Sequence, residues 1–232
     1  MELNLYEYQL DQFLSDTKFL RPEFLNFYRQ PCLDDDTLTT GFDTHYIYHV
    51  AWAIRKIVNR RPLSHTDISS SLGFVTSISS FIPTTFFDFR PANIFLNNLT
   101  CKQGNLTLSN QWDEKFASSL SCMHVVEHIG LGRYGDTLNA TADITAIENL
   151  KRFLAPGGHL FFVVPVGVPS IYFNAHRVYS AQWIIDFFSD ICSLEEFYFI
   201  PGPQNIAPIL NCDPKLTENF PYGCGCFEFK RI

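Results

Sequence analysis

A continuous apolar segment constrains the fold of this 232-residue chain more than any other feature. Residues 159–165 read HLFFVVP and contain no polar residue between Leu160 and Pro165. A strand of this composition is typically buried on both faces, as happens when helices cover both sides of a parallel sheet. The segment therefore predicts the central strand of an α/β domain.

Short strands and helices alternate from residue 63 onwards. The predicted strands are 63–69, 84–88, 99–103, 115–123, 159–165, 194–200 and 220–230. The predicted helices are 74–81, 144–154 and 180–188, with a helical turn at 93–98. This alternation predicts a doubly wound, mostly parallel, Rossmann-like sheet in residues 61–232.

Residues 1–60 are predicted to form an α-helical N-terminal extension. Apolar residues recur at helical spacing through residues 3–27, and Pro22 is placed to open a second short helix. Asp43 precedes another run at this spacing, which Arg61-Pro62 ends. We therefore expect a domain boundary at residue 60.

Composition limits the partners and the compartment. The net charge is −7, and no basic cluster is longer than Arg60-Arg61, so a nucleic acid is excluded as an expected partner. The N-terminus lacks a signal-peptide pattern, and no apolar run approaches the ~20 residues of a membrane span. Seven scattered cysteines are typical of reduced thiols. We expect a cytoplasmic protein, and a homo-oligomer is compatible with these features.

Residues 118–136, SSLSCMHVVEHIGLGRYGD, connect a predicted buried strand to a polar loop hinged by three glycines. Open α/β sheets present functional groups in such loops at the carboxyl ends of their strands. His124, Glu127 and His128 are therefore candidate site residues.

The same three residues match the H-x-x-E-H pattern of inverted zinc peptidases. The pattern needs a helix that brings both histidines to one metal, whereas here it follows a strand and precedes glycines. Cys224 and Cys226 would share one face of a strand, but no second cysteine pair accompanies them. No metal site is therefore predicted. For Cys224 and Cys226, buried thiols are preferred to metal ligands.

The turn after the first predicted strand and the end of the second form a candidate nucleoside site. Small residues at the turn allow close approach of a ligand, and an acid about twenty residues later can bind ribose hydroxyls. The candidate residues are Asp67, Ser69, Ser71, Gly73, Asp88 and Arg90. The alternatives are an ordinary strand–helix turn and an ion pair between Asp88 and Arg90.

Two further histidine-bearing segments are candidates for chemistry. His176 and Arg177 follow the apolar strand, where they can move a proton or bind an anion. A purely structural role for both is equally compatible with the sequence. His45 and His49 lie one helical turn apart and can cover the site as a lid, although a structural role is preferred.

The order of these pieces resembles a class I S-adenosylmethionine (SAM)-dependent methyltransferase. Five segments of this chain stand where such folds place their motifs. They are the first turn, Asp88, Gly104-Asn105 after the third strand, residues 125–128 (VVEH) and residues 154–158 (LAPGG). Residues 43–48, 124–136 and 173–179 resemble more closely the DUF268 family, known from bacteria, of unknown function and often associated with surface-polysaccharide genes. This resemblance extends over about residues 40–230.

The resemblance implies SAM, or its product S-adenosylhomocysteine (SAH), as the ligand and O-methylation of a sugar, sugar nucleotide or related metabolite as the reaction. It implies that Asp88 binds the ribose and that Asp67 and the turn bind the amino-acid end. Gly104 and Asn105 would lie near adenine, and His124 would form a wall of the pocket.

The implied catalytic roles fall on the loop residues. His128 or His176 would be the base, Glu127 would orient the base or the acceptor, and Arg177 would hold an acidic substrate group. One alternative is a degenerate methyltransferase fold that serves as a binding or scaffold protein in polysaccharide assembly, because the first turn lacks a G-x-G. Another is a hydrolytic metal site at His124, Glu127, His128 and His176.

Overall fold

The structure is a computed structural model that describes residues 3–16, 23, 26–112, 116–202 and 206–232. The chain forms two compact units, Met1–Phe42 and Asp43–Ile232. The predicted boundary at residue 60 lies further along the chain, at the end of a helix that belongs to the second unit. No helix among the described residues is both long and apolar enough to cross a membrane.

The first unit contains helix α1 (Leu3–Ser15). The Phe13 and Phe27 rings stack with their centroids 6.3 Å apart, and the Arg29 guanidinium pairs with the Glu7 carboxylate. The second helix predicted after Pro22 falls largely on residues outside the described ranges.

The second unit is built on one eight-stranded sheet. Its strands are β1 (His65–Ile68), β2 (Thr84–Asp88), β3 (Leu99–Gln103), β4 (Ala117–Met123), β5 (Leu154–Val166), β8 (Cys192–Pro201), β9 (Ile209–Leu210) and β10 (Gly223–Arg231). They are arranged in the order β3-β2-β1-β4-β5-β10-β8-β9. Strands β1 to β5 are parallel, whereas β10 is antiparallel to both β5 and β8. The predicted doubly wound, mostly parallel sheet is thus confirmed.

Helices cover both faces of this sheet and account for the apolar β5 segment. They are α2 (Thr44–Arg60), α3 (Leu72–Ser79), α4 (Ala142–Phe153) and α5 (Ala181–Phe188). Phe162 of β5 belongs to the core beneath α4 and α5, and its neighbour Phe161 belongs to the core beneath α2 and α3. Both rings are fully buried, as predicted for a strand between two helical layers.

Helix α2 is fixed to the antiparallel edge of the sheet by polar contacts. The Asp43 carboxylate caps its first turn by accepting from the N–H of Tyr46, and Arg61 ends it in a left-handed conformation. Further along, Trp52 Nε1 donates to Glu196 on β8 at 2.8 Å. Arg60 pairs at 2.8 Å with Glu228, which is fully buried on β10. The contacts of Trp52 and Arg60 hold the middle and the end of α2 against β8 and β10.

Some local predictions differ from the structure. Residues 93–98, predicted as a helical turn, form no regular helix. A hairpin of β6 (Ser170–Tyr172) and β7 (His176–Val178) was not predicted, because three-residue strands carry too little periodicity to be recognised.

Candidate functional site

A cleft of about 400 Å³ opens at the carboxyl ends of β1, β2 and β4, where the strand order reverses. Ligands of open α/β sheets bind at such switch points, and this volume is in the range of small-molecule sites. The predicted site residues that line it are Ser69, Asp88, Arg90, Gly104, Asn105, His124 and His128.

The turn after β1 brings its backbone to the cleft without the usual glycines. Ser69 adopts a left-handed conformation with φ of 54°, and its N–H donates to the Phe87 carbonyl at 2.8 Å. Ser71 caps α3 by accepting from the N–H of Phe74, and Gly73 lies in the first turn of that helix. Ser69 therefore faces the ligand space, whereas Ser71 and Gly73 shape the turn behind it.

Asp67 lies beneath this turn and is fully buried. One carboxylate oxygen accepts from the N–H of Ser70 at 2.9 Å, and the other accepts from the Ser121 hydroxyl. The Ser121 hydroxyl also contacts Nε2 of His65, at 2.8 Å. Burial raises the pKa of Asp67 to about 7 against the opposing effect of these hydrogen bonds. Asp67 can thus contribute to ligand binding only indirectly, by holding the backbone of the turn after β1 in place.

Asp88 and Arg90 form the rim of the cleft after β2. Oδ1 of Asp88 accepts from the N–H of Arg90 at 2.6 Å, so the half-buried carboxylate is fixed in orientation. The Arg90 guanidinium lies over the Tyr134 ring, 4.7 Å from its centroid. The β2 rim and the glycine loop therefore meet through a cation–π contact.

Gly104 and Asn105 form the floor after β3. A Cβ at Gly104 would lie 3.1 Å from both Phe87 and Trp112, so a larger residue would displace these rings. Oδ1 of Asn105 accepts from the N–H and the hydroxyl of Thr107, which occupies it within its own loop.

Asp136 organises the glycine loop that closes one side of the cleft. Its carboxylate accepts from the N–H groups of Gly130 at 2.7 Å, Gly132 at 3.3 Å and Tyr134 at 3.2 Å. Partial burial opposes ionisation of Asp136, but these donors lower its pKa below the ordinary value. At Gly130, where φ is 82°, a Cβ would lie 2.1 Å from the Asn139 carbonyl oxygen, so glycine is required there.

His124 follows β4 in a left-handed conformation, with φ of 56°. Its Nδ1 lies 2.9 Å from Oε1 of Glu127, and its Nε2 lies 3.5 Å from Sγ of Cys224. Burial lowers the pKa of His124, but Cys224 and Glu127 raise it, and the net shift is upward. Burial also raises the pKa of the Cys224 thiol above its ordinary value.

Two histidines of α2 pack beside His124. The His45 and His124 rings lie 6.1 Å apart, and the His49 and His124 rings 5.0 Å apart. Burial, and then the charge of His124, lower the pKa of His45 to about 4 and that of His49 to about 3. Both are therefore neutral imidazoles. The lid role and the preferred structural role of these two histidines both stay predictions.

His128 lies in a single helical turn, Val126–His128, that lines the cleft. Its Nδ1 lies 2.6 Å from the Ala175 carbonyl oxygen, which can only accept, so Nδ1 carries a hydrogen; in the neutral imidazole the lone pair is then on Nε2. Glu127 is almost completely buried, and its Oε1 lies 3.7 Å from Nε2 of His128. The Glu127 carboxyl group thus stands beside the second ring nitrogen of His128.

His176 and Arg177 lie behind this arrangement. The His176 ring packs between those of Tyr172 and Tyr222, and burial lowers its pKa. The buried Arg177 guanidinium donates to the Ile129 carbonyl at 2.7 Å and lies 3.5 Å from the Asp143 carboxylate. These contacts hold the backbone of the cleft wall, and binding an acidic substrate group would require Arg177 to give them up.

The H-x-x-E-H segment does not form the helix that a zinc peptidase needs. His124 and His128 are separated by the start of the short turn, and they face Cys224 and Ala175 respectively. The sequence did not predict the proximity of His45 and Cys224 to His124, because no local pattern connects residues so far apart in the chain.

Comparisons with solved structures define the class of fold. The N-methyltransferase NodS of Bradyrhizobium japonicum WM9 in complex with SAH superposes with a TM-score of 0.59 at 16% identity, over 86% of this chain and 93% of NodS. The 1,6-didemethyltoxoflavin-N1-methyltransferase of Burkholderia thailandensis gives a TM-score of 0.56 at 10% identity, over 79% and 78% of the chains. A putative methyltransferase of Haloferax volcanii gives a TM-score of 0.54 at 15% identity, over 82% of this chain and 90% of that protein. The chain has the class I SAM-dependent methyltransferase fold.

A family model matches part of the chain. Residues 95–193 match the family described as Caenorhabditis protein of unknown function, DUF268, which confirms the predicted likeness over this part of the chain. That description names Caenorhabditis rather than bacteria, so the connection with surface polysaccharides stays a prediction. No curated protein matches the sequence.

Proposed function

We propose that this protein is a SAM-dependent methyltransferase that methylates a hydroxyl group of a small molecule. The observation that carries the proposal is the ligand-sized cleft at the switch point of a methyltransferase fold, lined by both Asp88 and His128. In the finer form of the proposal the acceptor is a sugar or sugar nucleotide of polysaccharide synthesis, and the protein acts in the cytoplasm.

The residues of the cleft fit SAM. Asp88 offers a carboxylate, held in orientation by the N–H of Arg90, to the two ribose hydroxyls. The left-handed conformation of Ser69 leaves the turn after β1 open to the amino-acid end of SAM. Gly104, Asn105 and Leu106 line the space for the adenine of SAM. When bound, SAM supplies an electrophilic methyl group on a positively charged sulfur.

His128 is the base in this proposal. Its Nε2 accepts the proton of the acceptor hydroxyl, since Nδ1 is engaged by the Ala175 carbonyl. Glu127, 3.7 Å away, stabilises the imidazolium that forms. His176 packs between tyrosines outside the cleft lining, which favours His128 of the two predicted bases.

Cofactor binding is tested by calorimetry with SAH. Asp88→Asn removes the charge that receives the two ribose hydrogen bonds, but the amide oxygen of asparagine can still accept one of them. The loss of one such bond, about 1.5–3 kcal/mol, should lower SAH affinity about 10- to 150-fold. Asp213→Asn is the matched control, because Asp213 accepts from the N–H two residues later in the same way but lies on an exposed turn. Equal affinities of the two variants would contradict the ribose role. Absence of heat from the wild type with both SAM and SAH would favour the scaffold alternative.

The base is tested by SAH release with a panel of sugars and sugar nucleotides. We expect His128→Ala to lower kcat by about 100-fold or more, the usual contribution of a general base. His176→Ala should retain most of the turnover, since its ring lies outside the cleft lining. Full turnover in the His128 variant would overturn the assignment.

A further inference from the structure

A set of three potential metal ligands lies beside the cleft, and the function proposed above does not use it. One ring nitrogen each of His45 and His124 and Sγ of Cys224 all lie within 4.8 Å of one another. We propose that these residues bind a zinc ion. The site joins the first turn of α2, the residue after β4 and the start of β10, so only the folded second unit assembles it.

The spacing fits zinc. Bonds of about 2.3 Å to sulfur and 2.0–2.1 Å to nitrogen at a tetrahedral angle separate the two ligand atoms by about 3.5–3.6 Å. Nε2 of His124 and Sγ of Cys224 lie 3.5 Å apart. For two nitrogen ligands the corresponding separation is about 3.3 Å, so the His45 nitrogen needs to move at most about 1.5 Å.

The orientation of His124 also fits a metal ligand. Its Nδ1 lies 2.9 Å from Oε1 of Glu127, which leaves Nε2 directed to Cys224. A carboxylate that binds the second nitrogen of a histidine in this way fixes the ring and its tautomer in metal sites. Glu127 is therefore the positioning residue.

His45 supplies an independent observation. Its side chain is 8% exposed, and among the described residues its Nε2 is buried without a hydrogen-bond partner. A buried polar atom without a partner carries a cost of about 1–3 kcal/mol, which a metal bond would remove. Oε2 of Glu127 is likewise without a partner among the residues that the structure describes.

The charges also balance. A zinc ion carries two positive charges, and the Cys224 thiolate with the Glu127 carboxylate contributes two negative ones. Because burial of net charge is costly, this neutrality favours a divalent ion in a pocket where both side chains are almost completely buried. Three protein ligands leave the fourth tetrahedral position to water or another small molecule.

Zinc binding is measured on untagged full-length protein by chelator competition and elemental analysis. We expect one zinc per chain, and binding at least 100-fold weaker in Cys224→Ala. Cys122→Ala is the matched control, because Cys122 is equally buried on β4 but lies in the opposite core. This control should bind zinc like the wild type.

Cobalt substitution identifies the ligands. Bound Co²⁺ should give a thiolate-to-metal charge-transfer band in the wild type and in the Cys122 variant but not in the Cys224 variant. His45→Ala, in the first turn of α2, should weaken zinc binding at least 10-fold, and Glu127→Gln should weaken it about 10- to 100-fold as a positioning residue.

Wild-type protein without stoichiometric zinc, or a Cys224 variant that keeps the charge-transfer band, would overturn the site. If Cys224→Ala fails to fold, the His45 variant decides, and unchanged zinc affinity there would also overturn it. SAH binding is measured separately, so a failure of the zinc site is distinguishable from a failure of the proposed function.

Discussion

Replacement of Arg177 tests whether this residue holds the cleft wall or the substrate. In Arg177→Met the guanidinium bonds to the Ile129 and Ala140 carbonyls are lost. Among the described residues, the buried Asp143 carboxylate then keeps the hydroxyl of Tyr179, at 2.9 Å, as its hydrogen-bond partner. Breaking a buried ion pair from one side costs about 3–5 kcal/mol, because a buried charge is left uncompensated.

The loss is measured by urea unfolding and thermal denaturation. For a domain of this size, 1 kcal/mol corresponds to about 2–4 °C, so we expect Tm to fall by about 6–20 °C. Arg152→Met, an exposed position on α4, is the control and should change the free energy of unfolding by less than about 0.5 kcal/mol.

A double variant separates the ion pair from the carbonyl contacts. Asp143→Asn removes the buried charge while keeping an acceptor for Tyr179, so Arg177→Met with Asp143→Asn should be more stable than Arg177→Met alone. An Arg177→Met protein with wild-type stability and a raised KM for an acidic acceptor would refute this reasoning and support the substrate role predicted from the sequence.

Two further predictions concern the glycine loop and the β1 turn. Gly130→Ala should lower the free energy of unfolding by about 2–5 kcal/mol, from a left-handed φ and a Cβ 2.1 Å from a carbonyl oxygen. Gly135 has a similar φ of 83°, but a Cβ there would meet no atom within 4 Å, so Gly135→Ala should lower the free energy of unfolding only through the left-handed φ. Equal decreases in the free energy of unfolding of the two variants, measured with urea, would contradict the steric argument. The pKa of Asp67 is raised to about 7, so its stabilising contribution is complete below pH 4 and is lost as the pH rises through 7. Asp67→Asn should therefore gain stability relative to the wild type between pH 5 and 8, and a difference that does not change with pH would argue against a buried, protonated Asp67.

The architecture and several residues of the cleft could be predicted from the sequence. The alternation of strands and helices and the apolar residues 159–165 predicted the doubly wound sheet, because burial on both faces leaves a continuous pattern in the chain. Candidates such as Asp88 and His128 were found because parallel strands place the residues that follow them at one edge. Short elements such as β6 and β7 were missed, since three residues carry almost no periodicity.

Which side chains come into contact could not be predicted from the sequence, because it depends on packing. Arg177 and His176 are neighbours in the chain, yet one is buried against carbonyl groups and the other lies between tyrosines. His45, His124 and Cys224 come from separate elements, and no spacing in the sequence connects them. Proximity of this kind depends on how α2 and β10 pack at the sheet edge, which is set by long-range contacts such as that of Arg60 with Glu228. Local patterns fix the elements and their edges, whereas packing fixes the chemistry between them.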